Sequence, residues 1–280
     1  MRSDFNCSIL TGQKLDERLR KYIHHISFDD AVNCSEDRYF LPLIPDGMSE
    51  LVINLGRPYF RAKKQDVTDL QEVKISHFVG FKTANNFVIP AADAKAISIR
   101  FKPGCLCFFV EGNLAEFTDK IVDADLVFGK DFKELEAVLA QTSSKKMQVK
   151  LIERFLCAKL AVHTKKMELL HHVNAIYYGG KSWKSEKMQS DYKRMERLFK
   201  YYLGSTPKNF QQIIQFNYAS KLLTEKKFRS LTEVAHEADY YDQAHFIKKF
   251  RAYSGLTPKE YAAVDVRLVQ FNQQIIYNLF

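Results

Sequence analysis

The chain has 280 residues, 46% hydrophobic and 27% charged, which fits one large globular domain or two ordinary ones. No run of 18 apolar residues occurs, so no transmembrane helix is expected, and the opening "MRSDFNCSIL" lacks the apolar stretch of a signal peptide. The formal charge of +9 is unevenly placed: residues 1–163 carry 23 Lys+Arg against 22 Asp+Glu, and residues 164–280 carry 19 against 11. Five cysteines at irregular spacing argue against a disulfide framework and for a reducing, cytoplasmic setting.

The first half reads as short strands and turns. "RYFLPLIP", "SELVINLG", "VKISHFVGF", "NFVIP" and "AKAISIRFKP" are rich in β-branched and aromatic residues and bounded by Pro, Gly, Asp or Asn. Pro45-Asp46-Gly47 is a turn, with Pro fixing φ and Gly taking the strained position. After about Gly104 the period becomes helical. Phe132, Leu135, Val138 and Leu139 make one stripe; Met147, Leu151, Phe155 and Ala158 make the next. The second stripe suits a core or a homodimer contact. The expected fold is an α+β N-terminal domain, 1–163, with short β-strands followed by helices. An all-α C-terminal domain, 164–280, follows it, and the charge shift places the boundary.

Helices then alternate with the turns "YYGGKS", "GSTPK" and "ADYYD". Ser230 before "LTEVAHEA", with Glu233 three residues on, is a capping box. Asp242 caps the following helix, in which Phe246, Phe250 and Tyr253 form a buried stripe. Gly255 and Pro258 end it. Two short helices across a tight turn make a helix-turn-helix. At 100° per residue, Ala244, Lys248 and Arg251 fall opposite the aromatic stripe, with Gln243 and His245 at the N-terminal end. A recognition helix presents such residues to the DNA major groove. There Gln pairs with adenine, Ala meets a thymine methyl, and cations reach phosphates or guanine.

A charged outer face alone fits any solvated helix. A repeat argues for more. "FRAYSGLTPKEY" (250–261) overlays "FKYYLGSTPKNF" (199–210), so Ala244, Lys248 and Arg251 map onto Lys193, Arg197 and Lys200. Arg194 lies beside them. The segment from Pro207 to Lys226 between the copies reads as one amphipathic helix of about 30 Å, close to one turn of duplex DNA. Two helix-turn-helix motifs joined by a long helix are expected.

Asp242, His245, Phe246, Lys248, Phe250, Gly255, Thr257, Pro258 and Tyr261, with Ala235 upstream, resemble the C-terminal signature of the AraC/XylS family of transcription regulators. The resemblance covers about 164–280. "IPDGMSELVINLG", "VGFKT", "IRFKPG" and "FTDKIVDADLVFG" resemble an N-terminal domain of some members. It implies sequence-specific double-stranded DNA binding, an N-terminal domain that senses a small-molecule effector or forms a homodimer, and RNA polymerase as partner if the protein activates. Two departures stand out. Asp239 replaces the usual turn Gly. "KSWKSEKMQS" departs from the small-residue helix before the first recognition helix, with Ser185 and Glu186 near the expected Ala.

Other constellations are weaker. His24-His25 and His171-His172 are adjacent, a poor chelating arrangement on a helix. Asp123 and Asp125 suit a turn and helix cap, Cys105 and Cys107 small buried hydrophobes, and Trp183 packing in the first motif. No phosphate loop or nucleophile elbow appears. Neither a cofactor nor a metal is expected, and the chain reads as a non-enzyme. Two alternatives stay open: a helix-turn-helix pair that binds protein, and an enzyme with an unrecognised N-terminal site.

Overall fold

The computed structural model describes residues 4–32, 41–63, 66–89, 93–179, 192–225, 228 and 230–263. Among these, ten strands form two antiparallel sheets. The larger has the order β1 (Asp4–Thr11), β2 (Ile23–Val32), β9 (Lys95–Phe101), β4 (Ser49–Asn54), β7 (His77–Val79), β10 (Ile121–Asp123). The smaller runs β3 (Leu41–Leu43), β8 (Asn86–Ile89), β5 (Tyr59–Ala62), β6 (Gln71–Val73).

Register decides what each face of the larger sheet buries. Ile26, Ile99 and Leu51 are cross-strand neighbours, as are Phe28, Ile97 and Ile53. This apolar face packs on α1 (Ala124–Phe128), α2 (Lys130–Gln141) and α3 (Lys145–Lys159). Phe78 of β7 meets Phe128 at 5.2 Å, and Phe155 closes on Phe128 at 5.1 Å. The other face carries His25, Arg100 and Glu50 in one row and Ser27, Ser98 and Val52 in the next. It is covered too. Tyr59 of the smaller sheet reaches across, its hydroxyl 2.6 Å from His77 Nε2.

The N-terminal strands β1 and β2 were hidden from sequence reading; on β2 the apolar Ile26 and Phe28 and the polar His25 and Ser27 alternate, yet all four are buried. His24 and His25 therefore sit on a strand. A bulge between Ile23 and His25 brings their Nδ1 atoms to 2.7 Å. On α3 the buried line is Gln148, Ile152 and Leu156, one position round from the expected stripe. Met147 is half exposed and Ala158 exposed, while Leu151 and Phe155 pack at the core's edge. Val138 on α2 is likewise exposed. Asp123 caps α1 by accepting the Asp125 N–H at 2.8 Å, and Cys105 and Cys107 are buried free thiols, as their sequence context suggests.

The loop 160–163 leads to α4 (Thr164–Gly179), α5 (Tyr192–Leu203), α6 (Pro207–Glu225), α7 (Leu231–Glu237), α8 (Gln243–Ser254) and α9 (Pro258–Ala263). Thr206 and Thr257 each accept an N–H of the first turn of the next helix, and a Pro opens each helix, so α5–α6 and α8–α9 are two uses of one corner. The helix α6 buries every residue of the expected amphipathic stripe, including Ile214, Asn217 and Leu222, and more besides. It buries Phe210, Ile213, Phe216, Ala219, Ser220 and Leu223, so most of its circumference faces protein.

The helical region packs directly on the sheets. Gly47, at φ +79°, lies against the Phe210 ring, where a Cβ would come within 2.8 Å of a ring carbon. Asn217 Nδ2 of α6 donates to the Pro45 carbonyl at 3.1 Å, and Thr118 Oγ1 donates to the Gly204 carbonyl at 2.6 Å. The expected turn at 45–47 is thus also a contact between the two halves.

Candidate nucleic-acid interface

The second motif is built as its caps dictate. Ser230 Oγ accepts the Glu233 N–H, starting α7. Ala238 ends it, and Asp239 takes φ +60° where the family pattern has Gly. Gln215 of α6 donates to the carbonyls of both Ala238 and Asp239, at 2.9 and 2.7 Å, which pins the turn. Tyr240 fills the corner against Phe246, with ring centroids 5.0 Å apart. Asp242 then accepts the His245 N–H at 2.7 Å and opens α8.

On α8, Phe246, Phe250 and Tyr253 are buried and the opposite side is open. Gln243, Ala244 and His245 are exposed in the first turn. Lys248 and Arg251 are exposed further along, and with Ala244, Ile247, Ala252 and Thr257 they line one shallow concavity. Cations there flank small apolar side chains, a surface able to meet both phosphates and base edges.

In the first copy, α5 buries Met195, Phe199 and Leu203 and exposes Lys193, Arg197 and Lys200. The exposed triad keeps the register predicted from the second copy. Lys200 makes an exposed ion pair with Glu196 one turn back, at 2.9 Å. Arg194 is set apart: it reaches to Glu168 of α4 at 2.7 Å, off the line of the triad. The segment before α5, with Trp183, Ser185 and Glu186, lies outside the described residues.

Two residues on this surface escaped the sequence reading. Tyr241 is 92% exposed at the tip of the turn before α8. Thr232 of α7 donates its hydroxyl to Gln243 Oε1 at 2.7 Å. Helical periodicity ranks residues within one helix. It carries no signal for a pair that meets only across the turn.

A second notable cluster lies between the sheets. Asp46, Lys82, Arg100 and His77 are all at most 5% exposed, and Arg61 is close behind at 9%. Arg100 donates to Asp46 and, at 3.3 Å, to Glu50; Lys82 Nζ is 3.6 Å from Asp46. Burial pushes Lys82 down to about 8, partly offset by the Glu50 charge, and pushes the Glu50 carboxyl up. Burial also holds His77 at about 4, so the ring is neutral at pH 7. Its Nδ1–H donates to the Ile75 carbonyl at 2.8 Å, leaving Nε2 to accept from Tyr59. Among the described residues, no three His, Cys, Asp or Glu gather as a metal site, and no helix is long and apolar enough to cross a membrane.

A capped helix pair with a cation-lined outer helix, whose outer helix and following corner recur at α5–α6 among the described residues, and which is docked on a β-rich region, defines a helix-turn-helix protein with an N-terminal companion domain. Residues 185–263 match a family model described as a helix-turn-helix domain, and residues 16–123 match a domain of unknown function (DUF6597). The C-terminal region is accordingly a helix-turn-helix domain of the AraC type. No curated protein sequence matches the chain. Solved structures of ToxT from Vibrio cholerae align over most of its length. One, from O395, is 10% identical, covering 81% of this chain and 93% of that one, with a TM-score of 0.42. Another, of ToxT from strain SCE256 with an unsaturated fatty acid bound, is 11% identical over 94% and 97%, with a TM-score of 0.40. The architecture described above rests on the chain's own strand order and helix pairing.

Proposed function

We propose that the protein is a sequence-specific DNA-binding transcription regulator whose N-terminal domain, about 1–163, responds to an effector. The carrying observation is the exposed triad kept at the same helical register in two copies, Lys193/Arg197/Lys200 and Ala244/Lys248/Arg251. A solvated face has no reason to repeat in step with the buried stripe behind it. In this reading Lys193, Arg197, Lys200, Lys248 and Arg251 neutralise phosphates or reach bases. Arg194, itself exposed, joins them by exchanging its half-buried Glu168 partner for a phosphate. Gln243, Ala244 and His245, in the first turn of α8, supply direct readout.

The charged layer between the sheets supports the effector role. Burying opposed charges rather than apolar side chains costs stability, and perturbed ionisable groups gather at functional sites more than elsewhere. The Asp46 turn that holds Arg100 and Lys82 also touches α6 through Pro45 and Gly47, which gives the layer a direct route to the DNA-binding region. The protein acts here as a binding protein rather than an enzyme.

The test is selection of bound fragments from a genomic duplex pool by the purified full chain. One recurring site among retained fragments is the expected result. Retention of all fragments alike would remove sequence specificity, and no retention at low salt would remove DNA binding.

A further inference from the structure

We propose that Thr232 is a specificity-determining residue: it holds the Gln243 amide so that its NH2, and not its oxygen, is offered to the DNA. The proposal rests on the DNA-binding reading above and deepens it. Thr232 is the second residue of α7 and Gln243 the first of α8, and both are exposed. The Thr232 hydroxyl donates to Gln243 Oε1 at 2.7 Å. Gln243 Nε2 has no partner among the described residues.

The bond follows from the rigidity of the turn between the two residues. Tyr240 N donates to the Ala235 carbonyl at 2.9 Å, and Gln215 clamps the carbonyls of Ala238 and Asp239 from α6. The buried Tyr240 ring and the Asp242 cap fix where α8 begins. With both helix starts fixed, the two side chains meet without either having to search.

The chemical consequence is a change in which base suits Gln243. Adenine is read by both ends of an amide: the oxygen accepts from N6 and the nitrogen donates to N7. An amide drawn back by its oxygen presents two N–H donors instead. Guanine answers that with two acceptors, N7 and O6, while adenine offers N7 alone. The structure therefore favours guanine over adenine at the position Gln243 reads, whereas the residue type taken by itself suggests adenine. Removing the Thr232 hydroxyl frees the amide to turn and restores the adenine pairing.

The experiment selects sites from a randomised duplex pool with the full-length chain and with Q243A, T232V and T232S. The position that Q243A flattens is the one Gln243 reads. There the parent protein prefers guanine, T232S keeps that preference, and T232V moves the adenine-to-guanine ratio by roughly tenfold, about one base-edge hydrogen bond. The salt dependence of binding stays the same in all four, which excludes a phosphate contact by Thr232, and a merely structural role would weaken all sites alike without moving the adenine-to-guanine ratio. A parent already selective for adenine, or a T232V profile like the parent's, overturns the proposal. If the parent selects a site but Q243A flattens no position, this proposal falls alone. If the parent selects no site, the DNA-binding reading falls with it.

Discussion

Gly204 and Gly255 occupy the same corner of two copies of one module, and both corners rest on the N-terminal domain. Each follows a helix, with φ of +87° and +77°. A Cβ on Gly204 would lie 2.7 Å from the Leu114 carbonyl oxygen, and one on Gly255 would lie 2.8 Å from Asn85 Nδ2. The supporting loops are tied to each other. Asp119 N donates to the Phe81 carbonyl at 3.0 Å, and Thr83 N donates to Asp119 Oδ1 at 2.7 Å. One platform therefore touches the equivalent point of both copies and helps to set how the two outer helices face.

The two glycines should respond unequally to alanine. Left-handed backbone costs either substitution about 1–2 kcal/mol. At Gly255 the obstruction is the end of a flexible Asn side chain, which can move. At Gly204 it is backbone, so G204A should cost about 3 kcal/mol or more. Urea unfolding of both variants measures the difference, and equal losses would mean that the Gly204 corner is not seated on Leu114.

Asp46 is the point on which the buried cations converge. D46A leaves Arg100 and Lys82 without their shared carboxylate, although Glu50 still faces Arg100. A loss of about 3–5 kcal/mol is expected, the size of a broken buried pair. The turn also carries the Pro45 carbonyl that Asn217 holds, so amide exchange in α6 should quicken. Unchanged exchange there would show that the turn does not couple the charged layer to the helical domain.

Acid should destabilise the fold through His77. Its folded pKa is lowered by burial to about 4, against 6.5 in the unfolded chain. Between those values the unfolded state binds more protons. The contribution is complete above pH 6.5 and is lost as pH falls through about 4, on the order of 3 kcal/mol. Thermal midpoints for the parent and H77Q across that window test this: the parent's decline should be the steeper, and parallel curves would discount His77.

How much of this was readable from the sequence depends on where the periodic signal was clean. The α8 motif was legible because Ser230, Asp242, Gly255 and Pro258 each have one structural use, and Phe246, Phe250 and Tyr253 mark the buried side. Strand β2 was not, since its alternation of Ile26 and Phe28 with His25 and Ser27 buries both sets. The charged layer was invisible for a different reason. Asp46 with Glu50, Lys82, and Arg100 come from three separate stretches of the chain and meet only through strand register and the turn before β4. On α3, Gln148 sits at a buried position and donates to the Leu139 carbonyl at 3.2 Å, which shifted the true core line off the apolar stripe.

The central claim, that the repeated cation faces dock on duplex DNA, is tested most directly by the salt dependence of binding. Log affinity against log salt concentration should fall steeply for the parent chain. K248A and R197A should each weaken binding and flatten that slope by about one unit, one phosphate contact apiece. A slope unchanged in both variants would contradict the account.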